Sequence, residues 1–315
     1  MIAMLLGVYA NEAPGGMLDQ DGEAVLRLIP EERESCGDLV DPERVELLIA
    51  RQGAANRLLK IFPNVRWLQL LNAGYEKVDL DLLRERGILF TNARSVYCDT
   101  IAEDVLTKML ILSRNYATHM ANQRNHFWPT DRQLGNLNID LAGKTLGILG
   151  AGFIGRSIAV RARAFGLRVE GYDPYLQSQE GFDDITHDLY GLLNRADFVV
   201  ASLPVTRETR DIIDERALSH MKPGAFFLNV ARGEVVDEDA LCRALNDGMI
   251  RGAAIDVARL EPLPADSPLW MAANLLVTPH RAAYGDQMEA RICALVRRNI
   301  HHYNAGEPLE DQVRL

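Results

Sequence analysis

The feature that most constrains this chain is a set of three glycines, Gly150, Gly152 and Gly155, placed directly behind the apolar stretch KTLGIL and ahead of a helical pattern through Ile158, Val160 and Ala164. Glycines with this spacing are commonplace in isolation, but between a strand and a helix each has a task. The first permits a tight turn, the second lets backbone approach a pyrophosphate, and the third lets helix and strand pack closely. The phosphates would lie at the helix N-terminus, where N–H groups and the helix dipole favour negative charge. A parallel α/β sheet with a dinucleotide bound at this turn is therefore expected.

The flanking pattern agrees. From about residue 140 onward, short apolar runs alternate with amphipathic stretches: KTLGILG, RVEGYD, DFVVASLP, AFFLNVAR, GAAIDVA and LLVTPH. These runs predict a doubly wound Rossmann sheet built from two mononucleotide-binding halves. A smaller unit precedes it, with the runs IAMLLGV, VELLIA, RWLQLL and GILFT, and it reads as a second α/β domain, flavodoxin-like. Domains usually hold about 100 to 200 residues, so a 315-residue chain is expected to carry two cores. The expected division is a substrate domain of residues 1–96 and 286–315, into which a dinucleotide-binding domain of residues 97–285 is inserted. Between them, Asp99 to Tyr116 places Ile101, Val105, Met109 and Leu112 at helical spacing, with Glu103 and Asp104 expected in the first turn, where the dipole favours acids. Near the C-terminus, Met288, Ile292, Leu295, Val296, Ile300 and Tyr303 line one face of a packing helix.

The strand LRVEGYD ends in Asp173, 18 residues past Gly155, near the spacing of about 20 at which an acid binds the adenine ribose. A carboxylate there accepts from both ribose hydroxyls and repels a 2′-phosphate, which favours NAD over NADP. Arg168 and Tyr175 flank it, so NADP is disfavoured without being ruled out.

In open parallel sheets, ligands sit beyond the carboxyl ends of the strands. Pro204, Arg232, Asp256 and His280 all end or follow predicted strands. An arginine on the turn at Gly233 can clamp a carboxylate through two parallel hydrogen bonds. His280 is the only one of seven histidines at a predicted strand end of this sheet. Glu261 lies 19 residues before it, and a carboxylate on the far ring nitrogen would fix the tautomer of such a histidine and stabilise its protonated form. Taken singly, Arg232 is a surface arginine, Glu261 a loop acid and His280 a capping or buried polar group; it is their convergence that suggests acid–base chemistry. Asn72, Ala73 and Gly74 follow the run RWLQLL and would face a ligand in the same way, or form a simple turn.

Together, these segments resemble the D-isomer-specific 2-hydroxyacid dehydrogenases, a family that includes the glyoxylate/hydroxypyruvate reductases and the phosphoglycerate dehydrogenases. The resemblance is carried by KTLGILGAGFIGRSIA, SLPVTRETRDIID, MKPGAFFLNVARGEVVDEDAL, GAAIDVARLEPLPADSPLW and LLVTPH, about half the chain, and more weakly by LNAGYEKVD and SVYCDTIAEDVLTKML. It implies an NAD-dependent reductase of 2-oxoacids, with Arg232, Glu261 and His280 catalytic in the cleft between domains. It further implies that backbone N–H groups of Ala73 and Gly74 bind the substrate carboxylate and that Asp256 holds the nicotinamide amide. Phe153, Ile154, Pro204, Thr209 and Ala231 join Gly150, Gly152, Gly155 and Asp173 as expected cofactor contacts, and a crossed-over homodimer is the implied assembly. The chain departs from the family pattern at Ser202, Arg259, Arg281 and Ala283, positions that bear on substrate detail. Arg281 meets a second anionic group or points to solvent, the latter favoured; Arg51, Tyr75 and Tyr97 are further candidates for selecting the side chain of the substrate.

Other classes fit less well. A net charge of −10 argues against a nucleic-acid partner, which needs clustered Lys and Arg. No apolar run reaches about 18 residues, so no membrane span is expected. Cys36, Cys98, Cys242 and Cys293 match neither a metal site nor a dense disulfide framework; each is expected as a small buried hydrophobe in a reduced, cytoplasmic setting, and no metal is expected. An NAD(H)-sensing regulator on the same scaffold, or a dehydrogenase of another small anion such as phosphite, stays open as an alternative.

Overall fold

The computed structural model describes residues 2–6, 27–29, 42–134 and 138–315; Cys36 lies outside them. The chain divides into two compact units, Met1–Tyr97 with Gly285–Leu315, and Cys98–Tyr284.

The smaller unit holds a five-stranded parallel sheet of β1 (Ile2–Leu6), β2 (Arg27–Ile29), β3 (Val45–Ala50), β4 (Trp67–Leu70) and β5 (Leu89–Thr91), in the order β2-β1-β3-β4-β5. That is the flavodoxin-like order. Strand β2 has only three residues and no apolar alternation, which is why no run announced it. β4 is buried along its whole length, as a strand in a doubly covered parallel sheet must be. The polar Gln69 is tolerated there because its groups are satisfied: its amide donates to Asn92 O at 2.9 Å, and its carbonyl accepts from Thr91 Oγ1 at 2.7 Å and from Asn299 Nδ2 at 3.0 Å. Asn299 belongs to the helix Met288–Ala305, whose Ile292, Leu295, Val296 and Ile300 are buried as the spacing predicts. The helix ends at Gly306, which caps it with a φ of 70°.

The larger unit holds a seven-stranded parallel sheet: β6 (Thr145–Leu149), β7 (Arg168–Tyr172), β8 (Asp184–Thr186), β9 (Phe198–Ala201), β10 (Phe226–Asn229), β11 (Gly252–Ile255) and β12 (Leu275–Val277). Its order is β12-β11-β10-β9-β6-β7-β8, so the chain starts in the middle, winds to one edge, then returns and winds to the other. The six apolar runs of the sequence are six of these strands. The seventh, β8, is the three-residue edge strand DIT, none of it fully buried; an edge strand that short carries no hydrophobic run to detect.

One expectation is corrected. The helix predicted from Asp99 begins at Arg94 and runs to Ser113, with Asn92 Oδ1 accepting from Arg94 N–H at 3.3 Å at its start. Ile101, Val105 and Met109 are buried as expected, whereas Leu112 is only half-buried. Glu103 and Asp104 therefore lie in the third turn, beyond reach of the dipole at the N-terminus, and Asp104 has a different partner, described below. Cys98 and Cys242 are buried and Cys293 is half-buried. Among the described residues, no helix is long and apolar enough to cross a membrane.

Candidate active site

The glycine turn adopts the geometry its sequence calls for. Gly150 has a φ of +95°, and a Cβ there would meet the backbone of Leu203 at 3.0 Å. A Cβ on Gly155 would fall 2.1 Å from Gly150 O, so only glycine lets the helix Phe153–Arg163 approach β6 this closely. Gly152, in contrast, has nothing within 4 Å of where its Cβ would be, and it starts the helix without any side-chain cap. The open side of the turn thus offers backbone, a helix N-terminus and unfilled space, which suits a pyrophosphate. Asp173 closes the other side. Its carboxylate accepts from Ala151 N–H at 3.1 Å and from Tyr175 and Leu176 N–H at 2.9 and 3.1 Å, which pins the acid at the end of β7, beside the glycine turn. These residues fit a dinucleotide. Behind β9, Thr209 Oγ1 donates to Pro204 O at 2.6 Å and accepts from Thr206 N–H at 2.7 Å, closing the turn on which both Pro204 and Thr209 sit.

Arg232 follows β10 in extended backbone, just ahead of the 3-10 turn Gly233–Val235. Asn229 fixes this corner, donating to Arg232 O at 2.9 Å and accepting from Ala231 N–H at 3.0 Å. Gly233 is the tightest glycine in the unit. A Cβ there would lie 2.0 Å from Ala258 C and 2.2 Å from Arg259 N, so the loop after β10 rests directly on the backbone of the loop after β11. That second loop carries Glu261, whose Oε1 accepts from Ala258 N–H at 3.0 Å. Arg259 secures it from the far side, donating from Nε to Val236 O at 2.9 Å and pairing with Asp211. Burial, with Arg210 nearby, lowers the pKa of the Arg259 guanidinium from its ordinary value.

Glu261 Oε2 lies 2.7 Å from His280 Nδ1. This occupies one ring nitrogen and leaves Nε2 for a ligand. His280 itself holds a φ of +53°, a left-handed conformation that costs a non-glycine residue on the order of 1 kcal/mol or more and that clusters at functional sites. Its backbone N–H donates to Asp256 O at 2.7 Å. The Asp256 carboxylate accepts from Thr278 Oγ1, from Arg281 N–H at 3.0 Å and from Ala282 N–H at 2.8 Å. Asp256 is 2% exposed, so this residue grips the strand-end loop from inside. His280, Glu261, Asp256, Ala258, Trp270 and Thr278 line part of a cleft of about 550 Å³, the rest of which is chiefly apolar.

Arg281 is exposed and lies over the Tyr284 ring, 3.7 Å from its centroid. In the smaller unit, Ala73 O accepts from Asn92 Nδ2 at 2.7 Å and Asn72 Oδ1 accepts from Gln52 N–H at 3.0 Å, so the start of the loop after β4 is held by two side-chain contacts. Among the described residues, neither Ala73 N–H nor Gly74 N–H donates to a protein acceptor. Tyr75 packs edge-on against Phe90, and Tyr97 OH donates to Leu71 O. Sequence reasoning missed Lys108: its ammonium is buried between Asp104 and Asp256, and the four-residue spacing of Asp104 and Lys108 on one helix was the available signal.

Residues 106–282 match the model of a family described as D-isomer specific 2-hydroxyacid dehydrogenase, NAD binding domain. The chain is 33% identical to a D-3-phosphoglycerate dehydrogenase of Methanocaldococcus jannaschii, over 100% of this chain and 60% of that protein. It is likewise 33% identical to a glyoxylate reductase of Korarchaeum cryptofilum, over 78% of this chain and 75% of that one. The chain spans about half to three-fifths of the length of the phosphoglycerate dehydrogenases it matches. Among solved structures, a D-isomer specific 2-hydroxyacid dehydrogenase family protein from Aeromonas salmonicida superposes with a TM-score of 0.82 at 30% identity, covering 99% of this chain and 98% of that one.

Proposed function

The chain belongs to the D-isomer specific 2-hydroxyacid dehydrogenase family, and on that footing we propose that it interconverts a 2-oxoacid and its D-2-hydroxyacid with NAD(H). The observation that carries this reading is the 2.7 Å contact between Glu261 and His280 Nδ1. A histidine oriented this way at the end of a parallel strand is an acid–base group with one nitrogen fixed and one in use.

In the reducing direction, bound NADH supplies the hydride that adds to the carbonyl carbon. His280, protonated, gives its Nε2 proton to the carbonyl oxygen. Glu261, holding Nδ1, orients the ring so that Nε2 carries the exchanged proton. Arg232 binds the substrate carboxylate and polarises the carbonyl, an interaction that strengthens as negative charge develops on that oxygen. Ala73 and Gly74 are assigned to substrate binding through their backbone N–H groups. Gly150, Gly152, Phe153, Ile154 and Gly155 take the pyrophosphate, Asp173 the adenine ribose, and Pro204, Thr209 and Ala231 line the cofactor's path; Asp256 takes the nicotinamide amide.

The reading is tested by following NADH and NADPH oxidation across a panel of 2-oxoacids. Turnover with NADH supports it. Tight NADH binding without turnover on any member sinks it and favours a nucleotide-sensing regulator. Within the same assay, Asp173→Ala is expected to raise KM for NADH about tenfold or more, because a hydrogen bond to a charged group is worth about 1.5 to 3 kcal/mol; kcat should stay within a few-fold. An unchanged KM for NADH would take Asp173 out of the ribose site.

The partner is a second copy of the chain. Tyr116 and Met120 on the helix Tyr116–Arg124, with Phe127 and Trp128 just after it, leave large apolar side chains exposed, Trp128 by 94%, which is unusual for surface that stays in water.

A further inference from the structure

Lys108 is 1% exposed, and among the described residues a buried ammonium of this kind calls for an account. It forms an ion pair with Asp104 one helical turn earlier, and its Nζ lies 3.4 Å from Asp256 Oδ1. Two carboxylates thus share one cation, and Asp256 is itself buried. Burial, only partly offset by Lys108, pushes the Asp104 carboxyl above the usual carboxylate range.

Buried ion pairs are poor stability devices, since the cost of removing both charges from water offsets most of their attraction. What this one does is visible in the contacts of Asp256. As a carboxylate it accepts from Thr278 Oγ1, Arg281 N–H and Ala282 N–H, while its backbone carbonyl accepts from His280 N–H. Residues 278–282 are therefore gripped at four points by one residue. The grip is made through the Asp256 side-chain oxygens, and Lys108 is the cation beside them, 3.4 Å from Oδ1.

We propose that Lys108 is a positioning residue: its buried ammonium anchors the Asp256 side chain, and Asp256 in turn holds the loop that sets His280 in its left-handed conformation against Glu261. Naming His280 as the proton donor rests on the function proposed above, whereas the placement of His280 by Lys108 is a structural statement that can be read without turnover. Removing the ammonium leaves Asp256 uncompensated. Asp256 then loses its anchor, the loop loosens, and His280 leaves its contact with Glu261.

The experiment compares Lys108→Met, Lys108→Arg and Asp104→Asn with the parent enzyme. Two readouts are used: the Nδ1 proton of His280, observed by NMR with isotope-labelled histidine, and kcat and KM for 2-oxoacid reduction. Lys108→Met is expected to abolish or broaden the Nδ1 proton held by Glu261. It should also lower kcat by about 10- to 100-fold, since a shift near 1 Å can cost a hundredfold, with KM for the oxoacid within a few-fold. Lys108→Arg restores the proton signal and most of kcat, and Asp104→Asn leaves both within about twofold, because it removes a charge and spares the cation. If Lys108→Met does not fold, the pair Asp104→Asn/Lys108→Met relieves the second carboxylate while still stranding Asp256, and the same loss of signal is expected. A folded Lys108→Met protein with the Nδ1 proton and kcat unchanged overturns the proposal. If the parent lacks turnover on every 2-oxoacid, the functional reading fails, and the NMR comparison still decides the role of Lys108.

Discussion

His280→Ala is expected to lower kcat for 2-oxoacid reduction by about 10² to 10⁴, the span seen for general acid–base groups, while NADH binding changes little. The expectation follows from where the residue sits. Its Nδ1 is committed to Glu261, so only Nε2 of the ring can exchange a proton with substrate, whereas His187, which follows β8 in the same sheet, sits at the opposite edge with its Nδ1 2.7 Å from Asp173 O. The glycine turn and Asp173 lie behind other strands, so cofactor affinity should survive. Stopped-flow reduction and NADH fluorescence titration separate the two quantities. A kcat near that of the parent would remove His280 from the chemistry and leave its hydrogen bond to Glu261 without a catalytic meaning.

Gly233→Ala is the second large effect. A methyl group cannot be placed 2.0 Å from Ala258 C, and here the obstructing atoms are backbone, which cannot rotate aside. The loops after β10 and β11 must separate. Arg232 is carried by the first and Glu261 by the second, so one methyl group displaces Arg232, the proposed carboxylate clamp, from the acid that contacts His280. A fall in kcat/KM of about 10² is expected for a displacement near 1 Å, together with a loss of stability of about 1 to 3 kcal/mol, typical of overpacking. Steady-state kinetics beside a urea melt would check both, and wild-type kinetics in Gly233→Ala would mean that the two loops are not mechanically joined.

Much of this was legible in the residues. Strands buried on both faces need apolar runs, so β6, β7, β9, β10 and β11 announced themselves, as did the short edge strand β12 through its apolar sequence LLV, and the glycines announced the turn. Glu261 and His280 are 19 residues apart in sequence, and their meeting was foreseen through the family resemblance, since Glu261 taken alone reads as a loop acid. What stayed hidden was what lacks periodicity. The edge strand β8 is three residues long. The helix Arg94–Ser113 starts at a side-chain cap from Asn92, two residues ahead of it, and misplacing that start turned Asp104 from an inward-facing partner of Lys108 into an apparent first-turn acid. The backbone role of Asp256 was likewise invisible, since nothing in a sequence tells which N–H groups a carboxylate will gather.

The order of the larger sheet has a further meaning. Reading across it, the strand ends present His280, Asp256, Arg232, Pro204, Gly150 and Asp173 in turn. Neighbouring strands lie about 4.8 Å apart, so the two outermost of these positions stand roughly 24 Å from each other across the sheet. On the function proposed above, the sheet works as a ruler, with nucleotide choice assigned to one end and proton transfer to the other. Changes that far apart combine almost independently, so such a scaffold can exchange one acid for another without relearning how to hold its coenzyme.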